Sequence, residues 1–242
     1  MTTAVITQPT YLPWLGAFEA IARADVYVVL DTVQFQRRSW HSRNRLKAGN
    51  GEPFWLTVPV QRAPQQTPLA EILVADPAID DWAAKHRRSI GLALAATPHA
   101  ADAASCVQAA LDDPPVRLVD LNVAIIEATA GALGLRPTWV RASELGVTGA
   151  RSSLLTAICR EVGADRYYSA AGSRGYMEEE QDVWDRSGLE VVFQEWEHPT
   201  YDQPGSAPFV SHLAALDPIA NLGFGGAAAA IGSTAPDQEP CR

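Results

Sequence analysis

Apolar and polar positions alternate along this chain in two periods, and the change between them marks the elements. A short apolar run, Ala4-Val5-Ile6, stops at Gln8-Pro9. After a loop dense in Tyr, Trp and Pro, Gly16 opens a helical stretch in which Phe18, Ile21 and Ala22 fall at i, i+3 and i+4. A second apolar run, Val26 to Leu30, ends on Asp31. That is a strand–loop–helix–strand unit of the size of a βαβ crossover. Further β-rich runs lie at 53–60 and 69–75. Helical periodicity then takes over: Trp82, His86 and Ile90 share a face, and Val116, Val119, Val123, Ile126, Ala130 and Leu133 recur in steps of three and four before Gly134. Residues 138–142, 166–170 and 190–194 read as strands. A helix with Leu154, Leu155, Ile158, Cys159 and Val162 on one face lies between the first two, and an apolar helix runs from Leu213 to Leu222. The pattern predicts one α/β domain over residues 1–232. It has a mostly parallel, Rossmann-like sheet flanked by helices, with a small helical lobe at about 80–134 and a disordered polar tail at 233–242.

In such sheets the groups that handle a ligand lie beyond the carboxyl ends of the strands. Gln8 and Asp31 stand at two such ends. The segment after Asp31 changes the electrostatic picture. The whole chain carries a formal charge of −9, yet residues 32–51 hold Arg37, Arg38, Arg43, Arg45 and Lys47 and no Asp or Glu. A solvated basic loop is one reading. An anion pocket is the other, since guanidinium forks match phosphate and carboxylate geometry and Gln34, Trp40 and Asn44 lie among the arginines. The acidic balance (pI near 5.0) excludes nucleic acid as a general partner and suits a small anionic substrate, carrier-bound or phosphate-bearing donors included.

No apolar run is long enough to span a membrane, and the N-terminus lacks a signal-peptide pattern. The 3 cysteines are sparse and unpatterned, as in a reduced, cytoplasmic protein. No metal-binding spacing, G-x-S-x-G elbow, P-loop or G-x-G-x-x-G turn occurs, so no metal is expected and no cofactor is identified. Cys159, on an apolar helix face, reads as a core thiol. His86 on a half-apolar helix and His198 in the loop after the last strand are either packed side chains or proton-transfer groups, and Asp31 is either a turn cap or an orienting carboxylate. The turn Ala171-Gly172-Ser173-Arg174-Gly175 could cradle an anion.

Several motifs resemble those of the WbqC-like protein family. They begin with Gln8-Pro9-x-Tyr11-Leu12-Pro13-Trp14-x-Gly16, Asp25, Asp31-x-Val33-Gln34 and Ser39-Trp40-x-x-Arg43-Asn44. The likeness continues through Trp55 to Val60, Lys85-His86-x-x-Ser89-Ile90, Gly163-Ala164-Asp165-x-Tyr167-x-Ser169, Tyr176 and His198-Pro199-x-Tyr201-x-Gln203. It closes with Leu216-Asp217-Pro218-Ile219 and Gly223-Phe224-Gly225, covering roughly residues 4–230. Thr32 departs from the family's second Asp, and Ala170-Ala171 from its Ser-Gly turn. The resemblance implies an enzyme that transfers an acyl or aminoacyl group to an amine in O-antigen, other surface-polysaccharide or natural-product biosynthesis. On that reading His86, Asp31 and His198 are the proton-transfer candidates. The substrate contacts come from Gln8, Tyr11, Trp14, Gln34, Trp40, Arg43, Asn44, Lys85, Ser169, Tyr176, Tyr201 and Gln203. A nucleotide-dependent ligase or nucleotidylyltransferase, and a non-catalytic carrier of an anionic intermediate, are the alternatives.

Overall fold

The central strand explains the layering. In a computed structural model, which describes residues 1–205 and 208–232, β1 (Thr3–Thr7) is buried on both faces. Val5 points into one apolar cluster, while Ala4 and Ile6 point into another. This is the two-residue side-chain period of a strand covered on both sides, and it accounts for the unbroken apolar run. β2 (Val26–Val29), β5 (Thr138–Arg141), β6 (Arg166–Ser169) and β7 (Glu190–Phe193) complete a sheet of order β5-β2-β1-β6-β7 in which every pairing is parallel. The chain runs outward from β1 through β2 to β5, then returns to lay β6 on the other side of β1. The switch point of this doubly wound sheet therefore lies between β1 and β6.

α1 (Leu15–Ala22) joins β1 to β2 and α5 (Arg151–Glu161) joins β5 to β6. Between β6 and β7 the expected glycine turn is a 3₁₀ turn at Ala171–Ser173, followed by α6 (Arg174–Glu179) and α7 (Gln181–Ser187). Leu155, Ile158 and Cys159 of α5, Met177 and Trp184 fill one face of the sheet.

The long excursion between β2 and β5 corrects three expectations. The run at 53–60 contributes β4 (Pro53–Thr57), but not to the main sheet: it pairs antiparallel with β3 (Arg43–Lys47), inside the basic segment. Arg43-Asn44-Arg45-Leu46 reads as a charge run, yet Asn44 and Leu46 point inward and are buried while the arginines alternate outward. The run at 69–75 is a 3₁₀ turn, Leu69–Glu71, flanked by isolated bridges Val60↔Val74 and Leu73↔Arg117. Its apolar side chains are buried there without a ladder. The lobe holds three helices rather than two: α2 (Trp82–Leu94), α3 (Ala100–Asp112) and α4 (Leu118–Ala132). α3 escaped notice because its stripe is mostly small: Ala103, Cys106, Val107, Ala110 and Leu111. The final helix, α8 (Leu216–Ala230), extends beyond the expected 222, with a break at Gly223 (φ 70°) where its backbone meets His99. The tail at 233–242 lies outside the described residues.

Among the described residues no helix is long and apolar enough to cross a membrane, and no group of three or more His, Cys, Asp or Glu is placed to hold a metal ion.

Candidate functional site

A cavity of about 370 Å³ opens at the carboxyl end of β1, at the switch point. Its depth is apolar: Val5, Ala20, Ile21, Tyr27 and Ile126 line it and are themselves buried. Its more exposed lining is polar and aromatic, with Gln8, Thr10, Trp14, Trp40, Arg45 and His212, and the buried Asn44 and Gln194 add polar groups. An apolar hollow of this size with a few converging polar groups is the usual form of a small-molecule site.

Residues 8–14 form one wall, held by buried amides from elsewhere in the chain. Asn122, fully buried on α4, donates to the carbonyls of Pro9 (3.1 Å) and His41 (2.8 Å). Asn44 donates to the Leu12 carbonyl (2.5 Å), and the Tyr11 amide donates to the Trp40 carbonyl (2.9 Å). Between these clamps Leu12 sits at φ 47°, a conformation a leucine keeps only under such constraint. The Ala214 and Ala215 amides donate to the Arg45 and Pro13 carbonyls, which brings the segment bearing His212 onto the rim. Gly16, the second residue of α1, lies directly against the indole of Trp14; a Cβ there would lie 2.3 Å from the ring.

Two of the wall groups are oriented from behind. The Gln36 backbone N–H donates to His41 Nδ1 (3.3 Å), so the neutral ring carries its proton on Nε2 and donates to Gln8 Oε1 (2.7 Å). Burial lowers the His41 pKa, which favours that neutral form. Among the described residues no hydrogen bond engages the NH₂ of Gln8, an exposed residue. Gln194 donates to the Gly16 carbonyl (2.8 Å) and to the buried carboxylate of Glu19 (2.7 Å), which also accepts from Tyr168 and pairs with Arg23 at 2.9 Å.

Of the residues expected from sequence, the cavity gathers Gln8, Trp14, Trp40 and Asn44. His198 stands just behind its rim, against Trp14 and His212, with ring centroids 6.4 Å and 5.0 Å away. Its Nδ1 donates to the Pro199 carbonyl (2.8 Å), leaving Nε2 an unpartnered acceptor, and burial lowers its pKa. Arg43 lies outside the cavity with its guanidinium 4.2 Å over the Trp55 ring.

The others are engaged elsewhere. Asp31 is buried at the end of β2 and accepts from the Ser143 amide (3.0 Å) and hydroxyl (2.7 Å), tying β2 to the turn after β5. Tyr11 and His86 are a buried pair, hydroxyl to Nδ1 at 2.7 Å, that fastens α2 to the first loop; burial pushes His86 down to about 4. Lys85 is exposed and pairs with Asp80, and Gln34 donates to the Gln65 carbonyl (2.7 Å). Ser169 is buried against Tyr167 and Met177, and Tyr176 lies under Arg151. Tyr201 and Gln203 both donate to Asp217 (2.7 and 2.8 Å), and Gln203 also accepts from the buried Lys47 (3.2 Å). This network fixes the loop after β7 over β3.

Sequence reasoning missed His212 and Gln194, and named Arg45 only among the cations of the anion-pocket reading. Arg45 carried a signal: once 43–47 is a strand, Arg43 and Arg45 must share a face. His212 carried none, because its place depends on the pairing of Trp14 with Ala214.

The family model of the WbqC-like protein family matches residues 8–228. The chain belongs to the WbqC-like protein family. The matched span takes in the cavity walls from Gln8 to His212. A protein of Mycobacterium tuberculosis, described as uncharacterized protein Rv1507c, is 28% identical over 228 residues, which cover 92% of this chain and 95% of the relative. No solved structure matches the chain.

Proposed function

We propose that this WbqC-like protein is a small-molecule transferase that moves an acyl or aminoacyl group from an anionic donor to an amine. The observation that supports the reading best is the division of the cavity lining: buried apolar side chains that fit an acyl chain, and a more exposed part that includes Arg45. The donor's anionic leaving group lies against Arg45, and the chain enters between α1 and α4. The Gln8 NH₂, aimed by His41, donates to the acyl carbonyl oxygen, where negative charge develops as the amine attacks. The new C–N bond forms, the bond from the carbonyl carbon to the leaving group breaks, and the proton lost from the amine passes to His212 at the rim. Trp14, stacked on His212, and His198, tilted against it, hold that ring in place.

The test incubates the protein with activated short-chain acyl donors and a panel of amines, and reads amide by mass spectrometry. The wild type forms amide. His212→Gln lowers kcat by about 10²-fold, as expected for loss of a proton acceptor, while Arg45→Ala acts on KM. Wild-type turnover in His212→Gln removes it from the mechanism. Absence of amide from every pair, together with no heat on titration with hexanoate, overturns the reading.

A further inference from the structure

Outside the cavity, the β3–β4 hairpin presents a second chemical surface. Arg45 lies directly opposite Trp55 in the hairpin register, and Arg43 is two residues away on the same face. The guanidinium carbons stand 4.2 Å (Arg43) and 5.7 Å (Arg45) from the Trp55 ring centroid. Trp40 reaches the same ring from the preceding loop, with centroids 5.4 Å apart. Both tryptophans are conspicuously open, with 47% of Trp40 and 44% of Trp55 exposed.

Two features set this group apart from an ordinary surface cluster. Among the described residues neither arginine makes an ion pair, and the Nε of each is buried with no hydrogen-bond acceptor. The surrounding segment, residues 32–51, has no carboxylate to supply one. The surface is also continuous with the cavity, because Trp40 and Arg45 belong to its lining. Guanidiniums without an ion-pair partner suit phosphate oxygens, and the exposed halves of the two indoles beside them suit a flat aromatic ring.

We infer that this surface binds a nucleotide: the base stacks on Trp40 and Trp55, and the phosphates lie against Arg43 and Arg45. This rests on the reading of the cavity as the acyl site, and it names the donor class as an acyl group carried on a nucleotide. A hexose phosphate would share the anion but not the aromatic stacking.

The test is calorimetric titration of the full chain with ADP, GDP, UDP and CDP, with pyrophosphate and a hexose 1-phosphate as the comparison. At least one nucleoside diphosphate binds about 10-fold or more tightly than pyrophosphate. Trp55→Leu and Trp40→Leu remove that preference and leave pyrophosphate binding in place, whereas Arg43→Ala weakens both ligands. The inference is overturned if none of the nucleotides binds, if pyrophosphate or the hexose phosphate binds as tightly as every nucleotide, or if the preference survives in both tryptophan variants. Hexanoate, which fills the cavity against Arg45 and needs no stacking on Trp55, separates this failure from failure of the acyl-site reading.

Discussion

Asn122 spends both amide hydrogens on carbonyls from distant parts of the chain, and Pro9 and His41, which bear those carbonyls, are buried. Asn122→Ala should therefore cost about 2–4 kcal/mol in urea denaturation, from two lost bonds and two stranded acceptors. The buried histidine His86 makes a pH-dependent contribution. Its pKa is held at about 4, below the ordinary 6.5, so between those values the unfolded chain takes up a proton that the folded His86 refuses. Stability falls as pH drops through that window and is unaffected by this group above it. Thermal melts from pH 7 to 4 should show a steeper loss in the wild type than in His86→Gln, and equal slopes would exclude His86 as a source. The same residue shows what the sequence withholds. Gln8, Trp14, Trp40 and Asn44 were legible as cavity groups because they sit in the loop after β1 and in the basic segment. Asp31 and His86 carry equally reactive side chains, yet Ser143 and Tyr11 occupy them. Those partners are 112 and 75 residues away in the chain, so spacing gives no sign of them.

At the scale of elements, the central strand and the helices with large apolar stripes were legible because a two- or four-residue period survives any tertiary context. β3 was not, since three of its five residues are cationic and only Asn44 and Leu46 turn inward. α3 was not, since alanines give little contrast between faces. Gly223 is legible as part of a motif, but the reason for a glycine there is not. It breaks α8 at positive φ, and a Cβ there would stand 3.1–3.2 Å from the His99 ring. Gly223→Ala should destabilise the protein by about 1–3 kcal/mol through both backbone strain and the clash. His99→Ala added to it should recover the part due to the clash. Denaturation midpoints of the single and double variants measure this directly, and identical values would place the whole cost in the backbone.

Across the whole molecule, parallel strands were expected but their order was not, because nothing local states that β6 lands beside β1. That one placement creates the switch point, and the cavity follows from it: α1 and β1 give one side, α4 and β3 another, and the His212 segment closes the rim. On β3, Arg45 lines the cavity and also reaches the Trp55 ring, whereas Arg43, two residues away, lies only over Trp55. Ala17 lines the hollow on α1, so Ala17→Trp should fill it and leave the fold intact, with a melting temperature within a few degrees of the wild type. Calorimetric titration of hexanoate into the wild type, Ala17→Trp and Arg45→Ala tests the central claim. Saturable binding to the wild type, its loss in Ala17→Trp and about 10-fold weaker binding in Arg45→Ala are the predicted result. Hexanoate that binds the filled variant as tightly as the wild type, or that binds neither, would contradict a substrate site between β1 and β6.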